Sequence, residues 1–192
     1  MTGGTVAVTW DPANKGPDLV LSNGNLTITH SAASADWEQV IATLGKSTGK
    51  WYFEVAITNG SSVVTIGVQD GTESFETYTG DTFDGWGYMA NGRFYNSGII
   101  YPLTATYTDG DVIGVAVDMD AGKIWWSKNG IWKGITGTSP DPATGTDPGY
   151  ANLAGTLYPA ATIYLIDDEI IGRFTSASQT YSAPSGFSAW GD

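Results

Sequence analysis

The apolar residues of this chain recur in short runs. The segments "NLTITH" (25–30), "KWYFEVAIT" (50–58), "VVTIGVQD" (63–70), "GDVIGVAVDMD" (110–120), "KIWWSK" (123–128), "LYPAATIYLI" (157–166) and "IIGRFT" (170–175) are rich in β-branched and aromatic residues. Gly, Asn, Asp and Pro clusters bound each of them, as expected of strands between turns. Many short strands with frequent turns predict an all-β sandwich or barrel. The one helix candidate is "ADWEQVIATLG" (35–45); it is short, and "WEQVIATL" reads equally as an edge strand, the assignment preferred here. The segments 71–87 and 136–156 are long connections rich in turn formers, and long ordered loops are often functional. No break in composition divides the chain. Residues 1–9 read as an N-terminal arm or edge strand and 10–192 as one sandwich domain.

The stretch "DMDAGKIWWSKNG" fixes a register. If Asp118 pairs with Lys123 across the loop 119–122, then Val117 faces Ile124, Ala116 faces Trp125, Val115 faces Trp126 and Gly114 faces Ser127. Side chains alternate across a strand, so Val115, Val117, Ile124 and Trp126 share one bulky face, the core face. Gly114, Ala116, Trp125 and Ser127 share the other, with an Asp118–Lys123 ion pair expected at its end. A slip of one residue would exchange the faces. Burial of Trp126 is worth about 2–3 kcal/mol. Trp125 lies over small residues. It either packs under a loop or flanking strand, or forms an aromatic platform in a shallow groove. "KNG" (128–130) is a tight turn into the next strand.

Charge narrows the partners. Twenty acidic and 8 basic residues give a net charge of −12, which repels phosphate backbones and anionic lipid. Nucleic acid is therefore not an expected partner. The chain has no cysteine, which excludes disulfides, thiolate zinc ligands and thiol nucleophiles. "MTGGTVAVTW" has neither the basic nor the apolar region of a signal peptide, and no apolar run reaches membrane-span length. The expectation is a chain made in the cytoplasm, without membrane insertion.

Motifs for catalysis are sparse. "STGK" (47–50) lacks the glycine spacing and preceding strand of a phosphate loop. The single histidine, His30, closes the strand "NLTITH" and reads as a surface histidine; no G-x-S-x-G elbow seats a nucleophile beside it. Two carboxylates across a cleft would suit glycoside hydrolysis, and Asp118 with Asp120, or the "DDE" of Asp167, Asp168 and Glu169, are the candidates. Both groups sit at turns, where Asp is favoured for local geometry. "DMDAG" lacks the distal glutamate of a calcium loop. No catalytic residue, metal site or cofactor is expected.

"GKWYFEVAI", "TIGV", "GWGYMANGRFYNSG", "YTDGDVIGVAVDMDAGKIWWSKNG", "LYPAATI" and "FTSASQTYSAPSGFSAW" occur in this order. Together they resemble the SPRY domain, related to B30.2, a bent two-sheet antiparallel β-sandwich of the concanavalin-like, jelly-roll type. "TWDPANKGPDLVLSNGNLTIT" and "DPATGTDPGYANL" resemble its bacterial and bacteriophage variant. The resemblance implies a non-catalytic binding module, with a rim of loops and the adjoining sheet meeting a partner. The matching positions are Trp86 and Tyr88 in "GWGY" and Asn91 and Arg93 in "NGR", with Trp125 adjoining from the central sheet. For Trp86 and Tyr88 the other reading is packing inside the loop. Arg93 either pairs with a nearby carboxylate or offers its fork of donors to a ligand. The expected function is a virion component (tail, baseplate or fibre) recognising a host-surface glycan or protein. The alternatives are a structural or decoration protein bound to other virion subunits, and a glycan-cleaving enzyme. No coiled-coil heptads are present, so a homo-oligomer would form through sheets or loops.

Overall fold

The computed structural model describes residues 7–31, 35–100, 105–136 and 139–192. Residues 1–6 of the expected arm, and 137–138 of the long second connection, lie outside them. Among the described residues there are strands and no helix. In chain order the strands are β1 (Trp10–Lys15), β2 (Leu19–Ser22), β3 (Thr27–His30), β4 (Glu38–Ala42), β5 (Lys50–Asn59), β6 (Thr65–Gln69), β7 (Gly85–Met89) and β8 (Phe94–Asn96). Then follow β9 (Ile99–Ile100), β10 (Val112–Asp118), β11 (Lys123–Lys128), β12 (Ile131–Lys133), β13 (Tyr158–Ile163), β14 (Glu169–Arg173) and β15 (Ser188–Ala189). One sheet runs β1-β4-β13-β6-β7-β8-β9; the other runs β12-β11-β10-β5-β14-β3-β2, with β15 added beside β5. Apart from β15, every pairing is antiparallel.

Alternation along each strand builds the core between the two sheets. Val115, Val117, Ile124 and Trp126 of one sheet meet Val40, Ile66, Val68, Trp86 and Tyr88 of the other. The β10–β11 register is the one expected, from Gly114↔Ser127 to Asp118↔Lys123. Trp126 is fully buried, stacks on Phe94 at 4.8 Å, and donates its indole N–H to Ile66 O at 2.9 Å across the sandwich. The expected Asp118–Lys123 ion pair is not formed. β10 lies between two strands, and Asp118 faces Lys50 of β5 as well as Lys123. Its carboxylate takes Lys50 Nζ at 2.8 Å, while Lys123 Nζ donates to Gly145 O at 3.0 Å.

The "WEQVIATL" segment is a strand, but an interior one, between β1 and β13. Its polar residues disguise this. Gln39 is wholly buried because its amide nitrogen donates to Ser74 O at 2.9 Å while its amide oxygen accepts from Gln69 and Thr79. Gln69 belongs to β6, while Ser74 and Thr79 come from the 71–84 loop, which lies against the outer face of the sheet. Glycine makes that approach possible: a Cβ on Gly87 would stand 2.2 Å from Thr79 O.

Candidate binding surface

Trp125 is fully buried, so it offers no platform. It packs on the outer face of its sheet with Tyr52, Ala116 and Phe187, and its indole N–H donates to Thr146 O at 2.8 Å. The 141–147 loop and the C-terminal segment thus cover the second apolar face of the hairpin. Glu54 fastens that segment: its carboxylate accepts from the Thr180 and Tyr181 amides at 2.7 and 2.8 Å and from Tyr52 Oη at 2.9 Å. Trp86 and Tyr88 alternate into the core from β7. The Trp86 indole N–H donates to Asn152 Oδ1 at 2.9 Å, and the Tyr88 hydroxyl donates to Ala105 O. Neither presents a free face to a partner.

Asn91 and Arg93 stand elsewhere, in the turn after β7. Asn91 shapes that turn, accepting from the Arg93 amide at 3.1 Å and donating to Tyr95 Oη at 2.9 Å. Arg93 is exposed, and among the described residues no carboxylate pairs with it. The strand order places this turn on a rim. β4, β6, β14 and β2 begin at this end of the sandwich, and β3, β5, β7 and β13 end there. The connections 16–18, 35–37, 60–64, 90–93 and 164–168 therefore gather on one side. Leu165 and Ile166 are exposed on it, at 42% and 47%. Asp168 holds their turn from below, accepting from the Ser61, Tyr164 and Leu165 amides at 2.7–3.0 Å. Trp37 joins the rim half-buried, its ring 4.8 Å from that of Tyr164 and 5.2 Å from that of Tyr78. Its neighbour Glu38 is 3% exposed. Sequence reading missed Trp37, Glu38, Leu165 and Ile166; the tryptophan between two acids in "DWE" was the available signal.

The acidic groups considered for catalysis are held as structural pieces. Asp118 Oδ1 accepts from the Ala121 amide at 3.0 Å, and Asp120 Oδ1 from the Gly49 amide at 2.9 Å. Asp167 and Asp168 form the β13–β14 turn, and Glu169 Oε1 accepts from Thr58 Oγ1 at 2.8 Å. His30 is a correction. It is 4% exposed, because it faces inward opposite Leu19, and neither ring nitrogen has a hydrogen-bond partner.

Two antiparallel sheets with a clustered loop rim define a β-sandwich of the SPRY class. A family model for the SPRY domain matches residues 50–165. That is more than half of the chain, and the chain belongs to this family, whose members are protein-interaction modules. The crystal structure of the SPRY domain of human HERC1 superposes with a TM-score of 0.69 at 20% identity, covering 90% of this chain and 99% of that one. Among curated relatives, Ran-binding protein 9 of Xenopus tropicalis is 31% identical over 142 residues, and the dual specificity protein kinase splA of Dictyostelium discoideum 26% over 137. Each match takes in 69% of this chain but only 26% and 5% of those proteins. The chain thus corresponds to a small part of each. These relatives are eukaryotic and lend no support to the bacteriophage variant or to the virion terms attached to it.

Proposed function

We infer that this chain is a non-catalytic protein-binding module whose partner docks on the rim formed by the 16–18, 35–37, 60–64, 90–93 and 164–168 connections. The observation that carries this reading is a division of labour. The aromatic residues of the central sheets and the carboxylates at the turns are spent on packing and backbone hydrogen bonds, whereas Arg93, Leu165 and Ile166 stand exposed together on one end. Apolar anchors beside an arginine suit a protein contact. Placement in a virion is not part of this reading, because the family relatives do not carry it.

Crosslinking of the intact chain to its partners, followed by mass spectrometry, tests the rim. Leu165→Asp with Ile166→Asp, and Arg93→Ala, are expected to abolish a crosslinked partner without lowering the melting temperature. Phe83→Asp, on a still more exposed apolar loop residue at the other end of the sandwich, leaves it in place. Loss of the partner with Phe83→Asp and retention with the rim variants would refute the assignment.

A further inference from the structure

Beside Trp37 the rim opens into a cavity of about 390 Å³ lined by Pro17, Asp18, Asp36, Trp37, Glu38 and Glu76. Four of the six are carboxylates, and no lysine or arginine lines it. The ion pairs formed among the described residues fall on Asp118, Asp111 and Glu54, none of which belongs to this cavity. Lys15, next to the 16–18 turn, spends its ammonium on Gly16 O at 3.2 Å.

An acidic cluster alone is commonly a solvated surface. Glu38 makes this one different. It is 97% buried by its 3% exposure, and Oε2 has no hydrogen-bond partner. Its carboxylate lies where a side chain on residue 16 would stand: a Cβ on Gly16 would fall 1.5 Å from Oε2. Burial raises its pKa; the Asp18 amide and the charge of His30 offset this in part, and the charges of Asp18 and Glu76 add to it. His30 is the chain's own candidate counter-ion, but neither of its nitrogens bonds Glu38. A buried carboxylate is ordinarily paired and hydrogen-bonded, since leaving it otherwise is costly. The aromatic wall adds a second attraction. Trp37 is braced by Tyr78 and Tyr164, and an indole face attracts a cation within about 6 Å.

The geometry points to a pocket that receives the guanidinium or ammonium of a partner protein's arginine or lysine, with Glu38 as the buried counter-charge, Asp18, Asp36 and Glu76 as the mouth, and Trp37 as the wall. This rests on the rim reading above and names the chemistry of the partner. Arginine is the better fit, because its planar fork bonds a carboxylate while stacking on an aromatic ring. The pocket lies three inter-strand spacings, about 14 Å, from Arg93 along the sheet order β4-β13-β6-β7. A partner segment spanning the rim would therefore offer a basic residue at one end and an acidic one near the other.

The test uses the full chain and three probes: N-acetyl-arginine amide, N-acetyl-lysine amide and the neutral N-acetyl-glutamine amide, titrated while the Trp37 indole N–H and the Glu38 amide are followed by NMR. Saturable shifts at these two positions are expected with the arginine probe, weaker ones with lysine and none with glutamine, and added salt reduces them. Glu38→Gln and, separately, Asp36→Asn are each checked for an unchanged fold by their spectra. Glu38→Gln is expected to weaken arginine binding by at least about tenfold, and Asp36→Asn, at the exposed mouth, by less. Equal shifts with all three probes, or unaltered affinity in folded Glu38→Gln, would overturn the pocket while leaving the rim reading intact. Loss of partner crosslinks only from variants outside the rim would overturn the rim reading while leaving the arginine titration as it stands.

Discussion

Two buried glutamates at opposite sides of the first sheet have different surroundings. Glu73, in the 71–84 loop, and Glu38, at the start of β4, are each 3% exposed, and burial raises the pKa of both. Glu73 is fully engaged: it accepts from the Thr82 amide at 2.9 Å, the Thr82 hydroxyl at 3.1 Å and the Gly80 amide at 3.3 Å. Glu38 keeps an oxygen without a partner and borders a cavity. The first carboxylate organises a loop; the second is left for something outside the chain. Degree of burial alone does not tell a structural carboxylate from an available one. The inventory of its donors does.

The largest effect is expected at the engaged site. Glu73→Ala removes the acceptor of two backbone amides under the loop and should destabilise the chain by about 3 kcal/mol in urea unfolding. A cost below that of a surface substitution would break the contrast from the structural side. Glu54→Ala comes next, at about 2 kcal/mol, with earlier proteolysis within residues 174–192, because it releases the Thr180 and Tyr181 amides and the Tyr52 hydroxyl. The smallest loss is expected from Glu38→Gln, which removes a buried, incompletely paired charge and should leave the chain no less stable than the parent near neutral pH. Its pH dependence is more informative. A carboxyl whose pKa is raised by folding stabilises the native state below its unfolded pKa, and that contribution is lost as pH rises through the folded value. The parent should therefore lose stability across that window more steeply than Glu38→Gln, whose neighbours Asp18, Glu76 and His30 are unchanged.

The hairpin was legible because its alternation admits one register: Val115, Val117, Ile124 and Trp126 can share only the core face. The fate of Trp125 was legible as a face and not as an environment, since the groups that cover it, Thr146 and Phe187, come from segments far along the chain. β4 looked like an edge because Gln39 is polar; its burial depends on carbonyls delivered by the 71–84 loop, which no local pattern announces. β7 hid its inward aromatics in the same way. "GWGYM" reads as a decorated loop until Trp86 and Tyr88 are seen alternating with Gly85, which admits the Glu73 carboxylate, and Gly87, which admits Thr79 O. Asn91 and Arg93 were placed on the rim by resemblance, whereas the Trp37–Glu38 cavity needs 16–18, 36–38 and 76 brought together in space.

The most direct measurement is the titration of the two glutamate side-chain carboxyls by carbon-detected NMR, with and without N-acetyl-arginine amide. The account predicts that Glu38 titrates above the ordinary glutamate range in the free chain and moves down when the arginine probe is saturating, while Glu73 does not move. An ordinary midpoint for Glu38, or equal displacement of the two residues by the probe, would contradict it.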